Sequence, residues 1–272
     1  LIDMVYFVGT PIGNLKEIKH YAVEILNSVD YIACEDTRTS MTLLNHYNIK
    51  KPLVSYHKFN EKSSLKKMIE DQVDGKNIAV ISDAGMPCIS DPGNILVNEL
   101  IKNNLPYTVV SGPSAFVNAF ILSGFPTPVT FIGFLPNKAG DVKKLLNDFK
   151  DVRSTLIFYL SPHSILSDIK SIFSVIGDRD ICVVREISKK FEEVSFSTLK
   201  EGYTGVVKGE FVLLIKPKKT EEKTFDLSVS DQVKEYINSG LSKNDAIKQV
   251  AKERGLKKDV VYKQVLKMQG DK

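Results

Sequence analysis

The sequence is poor in the residues that build disulfides and metal sites, with three cysteines and four histidines in 272 residues. Cys34, Cys88 and Cys182 are odd in number and far apart, so they form neither a disulfide framework nor a CxxC metal knuckle, and they point to a reducing compartment. His20, His46, His57 and His163 stand in no HExxH or other close ligand spacing, so no protein-built zinc site is expected. No stretch approaches an uninterrupted apolar twenty-mer, and LIDMVYFVGT lacks the basic segment and long apolar run of a signal peptide. A soluble cytoplasmic protein with no membrane segment is expected. GxGxxG, GxxxxGK[ST] and GxSxG are missing as well, so the motifs make no independent case for a dinucleotide, a P-loop nucleotide or a serine hydrolase.

What is present suffices for a substantial core. Apolar residues make up 43% of the chain, and its length allows one large domain or two smaller ones. The formal charge of +4 is unevenly placed: from Lys218 onward there are 13 Lys/Arg and 9 Asp/Glu, against 24 of each before it. A basic C-terminal segment permits an anionic partner such as RNA and is equally compatible with a solvated face.

The most informative stretch is ISDAGMPCISDPG, Ile81 to Gly93, between an apolar strand-like run and an amphipathic helix. Its glycines and prolines fix turns that bring backbone toward a ligand, at the strand end where α/β proteins bind small molecules. Asp83 and Asp91 add fixed polar groups there. GTPIGNL (Gly9 to Leu15) breaks an earlier strand in the same way, and SGPSAFVNAF opens another turn and helix whose amides suit an electron-rich ligand group. ACEDTRTS concentrates Glu35, Asp36 and Arg38, a binding cluster or a capped, salt-bridged helix entrance. In SYHKFNE, His57 is a candidate base or substrate hydrogen-bond donor, or equally a satisfied loop histidine, with Asn60 and Glu61 beside it. Alternating strand and helix patterns predict a mostly parallel first sheet, with a connection at Pro136 to Gly140. Val194–Phe196, Val206–Val207 and Phe211–Ile215 read as antiparallel strands of a second, mixed sheet. In the tail, SKND caps one helix that Gly255 ends, and a second runs from about Lys258 to Met268; the pair is an RNA contact module or a packing or dimerisation pair.

Taken together, GTPIGNL, ACEDTRTS, SYHKFNE, ISDAGMPCISDPG, SGPSAFVNAFILSGFP and GFLP resemble the tetrapyrrole-methylase superfamily, and specifically its ribosomal-RNA small-subunit methyltransferase I branch. The resemblance covers Tyr6 to Pro217, and LSKNDAIKQVAKERG with KKDVVYK resembles the branch's helical appendage. It implies an α/β, two-domain tetrapyrrole-methylase-like fold with a cofactor cleft between domains: residues 1–135, residues 136–218 and a basic helical appendage, 219–272. It further implies a homodimer that uses S-adenosyl-L-methionine to methylate the ribose 2′-oxygen of a decoding-site cytidine in 16S ribosomal RNA, within an assembled small subunit. This fold is not the Rossmann-like methyltransferase, so a missing glycine fingerprint does not count against the cofactor.

Residue by residue, the resemblance places Thr10, Pro11, Gly13, Ser82, Asp83, Ala84, Gly85, Met86, Ser111, Gly112, Pro113, Ser114, Ala115 and Tyr159 on the cofactor, with Glu186, Ile187 and Pro217 at the cleft. It sets Glu35, Asp36, Arg38, His57, Asn60 and Glu61 on the RNA side. The chemistry requires a base for the hydroxyl, with His57, Asp36 and Glu35 as candidates and Arg38 and Lys189 orienting phosphate. The sequence departs from the family pattern at Leu160, in place of a carboxylate, at Ser164, in place of a basic residue, and at Asn137, where Arg is common. These changes touch the expected RNA contacts. Two other readings fit the same residues: a methylase of a tetrapyrrole or other small molecule, and a catalytically weakened ribosome-binding or cofactor-sensing protein.

Overall fold

The computed structural model describes residues 4–218 and 227–267, which fall into two compact units divided at Lys218. In the first unit, β1 (Val5–Val8), β2 (Tyr31–Cys34), β3 (Leu53–Ser55), β4 (Ile78–Ile81) and β5 (Tyr107–Val110) form a wholly parallel sheet in the order β3-β2-β4-β1-β5. The three central strands β1, β2 and β4 are continuous apolar, buried runs because both of their faces are covered. Side chains alternate between the two faces. Tyr6, Val8, Ile32, Cys34, Ala79 and Ile81 meet α1 (His20–Ser28) and α2 (Thr37–His46), while Val5, Phe7, Tyr31, Ala33, Ile78 and Val80 meet α3 (Glu61–Val73) and α4 (Asn94–Lys102). With all five strands pointing one way, the segments after β1, β2, β3, β4 and β5 emerge along one edge of the sheet.

The chain then passes through α5 (Ala115–Ser123) to a mixed sheet of β6 (Val129–Phe134), β7 (Thr155–Leu160), β8 (Asp180–Arg185), β9 (Glu193–Thr198) and β10 (Phe211–Ile215), in the order β6-β7-β10-β8-β9. Only β6 and β7 are parallel. One face packs on α6 (Ala139–Phe149) and α7 (Ile165–Ile176) through Leu156, Phe158, Val183 and Leu213. The other packs on α5 through Ile157, Cys182, Val184, Val212 and Leu214, and Ile12 from the β1 loop joins that cluster. Two expectations are corrected. Val129–Phe134 pairs with β7, so the chain enters the second sheet before Val129 and not at Pro136–Gly140. Val206–Val207 forms no strand; both side chains are exposed, in a loop whose backbone bends back on itself.

The second unit holds α8 (Val229–Asn238), α9 (Lys243–Arg254) and α10 (Lys258–Lys267), around Val233, Ala246, Ile247, Val250 and Val261. The Ser242 hydroxyl accepts the Asp245 amide at 3.2 Å, and Gly255 closes α9 in the left-handed region, as the sequence indicates. The first of the three helices is missing from the sequence reading, and Met268 lies outside the described residues. No helix among the described residues is long and apolar enough to cross a membrane.

Two glycines fix how closely the β1 and β5 ends approach. A Cβ on Gly112 would stand 2.7 Å from the Gly9 Cα, a backbone contact with no flexible atom to yield. Gly112→Ala is expected to destabilise the protein by about 1–3 kcal/mol through overpacking. Gly140, with open space around its Cβ position on α6, is expected to gain about 0.5–1 kcal/mol as Ala. Urea unfolding midpoints of the two variants check this, and similar shifts in one direction would contradict it.

Candidate functional site

The loops after β1, β4 and β5 are knitted into one wall. Thr10 and Gly85 form an isolated antiparallel bridge, with Thr10 N donating to Gly85 O at 2.8 Å and Gly85 N to Thr10 O at 3.1 Å. The buried Thr10 hydroxyl donates to Ser82 O at 3.2 Å. Gly85 takes φ +81°, which a side chain would strain, and the Gly112 amide donates to the Met86 sulfur at 3.1 Å. Asp83 reaches sideways, its Oδ1 accepting the Asp36 amide at 3.1 Å, so the β4 loop is tied to the β2 loop.

This wall faces the end of the second sheet across a cavity of about 430 Å³, inside the roughly 300–1,000 Å³ range of small-molecule sites. Ile12, Glu35, Asp83, Ala84, Gly85, Met86, Asp91, Ser114 and Ala115 line one side, and Phe134, Tyr159, Ser161, Ile187, Glu210 and Val212 the other. An adjoining cavity of about 360 Å³ is lined by Thr10, Pro11, Gly13, Thr39, Thr42, Lys189 and others, and shares Ile12, Asp83, Ala84 and Glu210 with the first.

The first cavity is acidic: its lining holds four carboxylates and no lysine or arginine, and of the four only Glu210 meets a lysine, Lys189 from the adjoining cavity, at 3.0 Å. Burial, then Glu35, pushes the Asp91 carboxyl up to about 7. Burial and the Asp83 charge raise Glu35, and burial raises Asp83. Such a field suits a cationic ligand, and α5 begins on the same wall at Ala115, where its positive end suits a carboxylate. Among the described residues no cluster of three or more His, Cys, Asp or Glu is placed to hold a metal ion.

Several residues singled out from the sequence face neither cavity. Ser82 is buried beneath the wall, Ser111 meets Lys19, Gly112 packs on Gly9, the Pro113 carbonyl lies behind Gly85, and Pro217 follows β10. Asp36 caps α2 and pairs with the exposed Arg38 at 2.8 Å; that hydrogen bond holds its carboxyl down at about 2. Glu61 is buried, accepting the Tyr56 hydroxyl at 2.9 Å and the Gly93 amide at 2.8 Å. Asn60 folds its own turn, with Oδ1 accepting from His57 N at 2.7 Å and Nδ2 donating to Ser55 O at 2.9 Å. His57 Nδ1 accepts the Phe59 and Asn60 amides at 3.3 and 3.2 Å, so its neutral form carries the proton on Nε2. Glu186, at φ +51°, accepts the Lys189 ammonium at 2.9 Å; Lys189 also meets Glu210 at 3.0 Å and lays its stem on Gly13. Asp91 and Glu210 are the lining carboxylates not placed at the site from sequence as specific contacts. The repeated SD pair of the β4 loop was the available signal for Asp91; Glu210 carried none.

Residues 4–202 match the family described as Tetrapyrrole (Corrin/Porphyrin) Methylases. A protein of Halalkalibacterium halodurans named Ribosomal RNA small subunit methyltransferase I is 40% identical over 267 residues, covering 94% of this chain and 92% of its own. Its namesake in Mycoplasmopsis pulmonis is 46% identical over 216 residues, covering 77% and 96%. The crystal structure of the methyltransferase CobJ superposes with a TM-score of 0.61 at 16% identity, over 80% of this chain and 95% of that one, a likeness of fold. The chain belongs to the tetrapyrrole methylases. Within them it is a member of the ribosomal RNA small subunit methyltransferase I branch.

Because folded Asp91 keeps its proton to about pH 7 while an unfolded Asp loses it near 3.9, the folded state binds more protons between those values. Stability therefore falls as pH rises from about 4 to 7. Asp91→Asn removes this contribution, so its stability relative to wild type should grow across that window in urea titrations. A difference that stays flat with pH would refute the assignment.

Proposed function

We propose that this chain binds S-adenosylmethionine in the acidic cavity between its two sheets and methylates the ribose 2′-oxygen of a cytidine in the decoding region of small-subunit ribosomal RNA. The observation that carries the reading is a cavity with cation-favouring walls, in a chain sharing 40% identity over nearly its full length with a named small-subunit RNA methyltransferase.

The residues present fit the cofactor. Ile12, Met86, Ala115, Ile187 and Val212 offer apolar walls for an adenosine; Asp83 offers negative charge to a sulfonium or an ammonium, and Asp91 does so once an entering cation displaces its proton. When bound, S-adenosylmethionine supplies a methyl group already activated on positively charged sulfur. A ribose hydroxyl is a weak nucleophile, so the protein must align it and accept its proton. Glu35 is the base in this reading: it lines the cavity, and burial raises its carboxyl toward the working pH. Asp36 is tied to the α2 cap and Arg38 and is held too acidic to accept a proton well. His57 acts through its turn, since Nδ1 is occupied by two backbone amides. Arg38, with a side chain 89% accessible, meets RNA phosphate, whereas Lys189 chiefly positions Gly13, its charge being answered by two glutamates.

The enzyme works as a homodimer in this reading. α5 (AFVNAFILS) is apolar almost all round, the pattern of a buried helix, yet Val117, Ile121 and Leu122 are exposed, as are Tyr107 and Val109 on the edge strand β5. A second copy covers this face.

Incubation with methyl-labelled cofactor and small subunits lacking the modification, followed by mass mapping of the ribose, tests the activity; cofactor binding without transfer would overturn it. Glu35→Gln should lower kcat by about 10²–10⁴-fold with cofactor affinity little changed, while Asp36→Asn should retain most turnover. The opposite ranking would move the base to Asp36. Ile121→Glu should yield a monomer in sedimentation velocity, and an unchanged dimer would place the interface elsewhere.

A further inference from the structure

Phe59 is the most exposed large apolar side chain of the described residues, 95% accessible. Burying a phenylalanine side chain is ordinarily favourable by about 1.5–3 kcal/mol, and nothing in this unit takes that gain. The ring does not sit on a loose loop. Its turn is closed by Asn60 N and Glu61 N donating to His57 O at 3.0 and 2.9 Å, by the Asn60 side chain bridging His57 N and Ser55 O, and by the Phe59 amide on His57 Nδ1. The next residue, Glu61, anchors the turn to the end of the β4 loop through Gly93 N. The His57 ring abuts Phe59 edge-on, with centroids 6.0 Å apart, and Tyr56, just before His57, donates its amide at 2.8 Å to the carbonyl of Cys34, the neighbour of Glu35 on the cavity lining. The ring is thus held out beside the site on a braced support.

Its neighbours point to the chemistry of what it meets. Lys58 and Lys62 are exposed on either side, and Lys66 and Lys67 follow on the next turn of α3. The carboxylate nearest in sequence, Glu61, is turned inward and buried. An aromatic ring presented among lysines is the arrangement that holds single-stranded nucleic acid, phosphates on the ammonium groups and an unstacked base on the ring face. A protein partner would favour a wider apolar patch than one ring among lysines.

We propose that Phe59 is a base-stacking residue that holds an unpaired nucleotide of the RNA substrate beside the cavity, with Lys58 and Lys62 on the adjoining phosphates. The proposal rests on the RNA methyltransferase reading and assigns its substrate contact to a residue that touches no cofactor wall. Stacking of this kind is sequence-tolerant, so Phe59 positions the strand and leaves the choice of base to the cavity.

The chain contains no tryptophan, so Phe59→Trp places a single fluorophore at this point. Emission of the full-length Phe59→Trp protein should be quenched on titration with protein-free, unmodified small-subunit RNA, and turnover on small subunits should be kept. Phe59→Ala should raise the subunit KM about ten-fold or more and leave cofactor affinity and the thermal midpoint unchanged. Wild-type KM in Phe59→Ala together with unquenched Phe59→Trp would overturn the stacking role while the methyltransferase reading stands. A raised KM on subunits without quenching by RNA would assign the ring to a ribosomal protein and overturn it too. Failure of the wild-type chain to bind or methylate RNA would instead remove the underlying reading and the proposal with it.

Discussion

The close approach of three strand-end loops is the constraint on which the rest depends. Gly9 and Gly112 let the β1 and β5 ends touch through backbone alone, and the Thr10–Gly85 bridge pins the β4 loop onto the β1 loop. Without that contact Asp83 would not reach the Asp36 amide, and Ile12 would not pack on the underside of the second sheet. The cavity is therefore a product of backbone proximity, and the side chains on its wall are held by groups that never face it.

Charge divides the site's acids into two kinds. Asp36 and Glu61 have their hydrogen-bonding capacity met within the protein, by Arg38 and the α2 amides in one case and by Tyr56 and Gly93 in the other. Both organise loops. Burial raises the carboxyls of Glu35, Asp83 and Asp91, and with no cation in the lining the Asp83 charge raises Glu35 further and the Glu35 charge raises Asp91. Such mutual repulsion opposes folding, and it is relieved when a cation enters. From sequence Lys189 reads as a phosphate ligand, yet two glutamates claim its ammonium, whereas the Arg38 guanidinium beside the site stays accessible.

Much of the first sheet was legible because its signals are local. Short apolar runs punctuated by Gly, Pro and Asp give strand ends directly, and the β4 loop was placed to the residue. Several such loops in combination carry the family's signature. Local signals mislead where partners are distant in sequence. β6 looks like the last strand of the first half, but Val129–Phe134 finds its hydrogen bonds on β7, some 25 residues later. Val206–Val207 has the composition of a strand and lacks a partner to pair with. Glu210 reaches the site only because β10 runs in the middle of its sheet, between β7 and β8.

The sequence by itself determined the strand and helix segments, the loops that turn at strand ends and the family to which those loops belong, since each follows from the chemistry of neighbouring residues. Only the tertiary structure decided which polar side chains in those loops are available for chemistry. Glu35 and Asp36 are adjacent and chemically alike, yet one lines the cavity while the other caps a helix; His57, Asn60 and Glu61 are spent on the turn that lifts Phe59 into solvent. The reason is physical: availability depends on which backbone amides and counter-charges the fold brings within about 3 Å, and that distance is set by contacts between residues far apart in the chain.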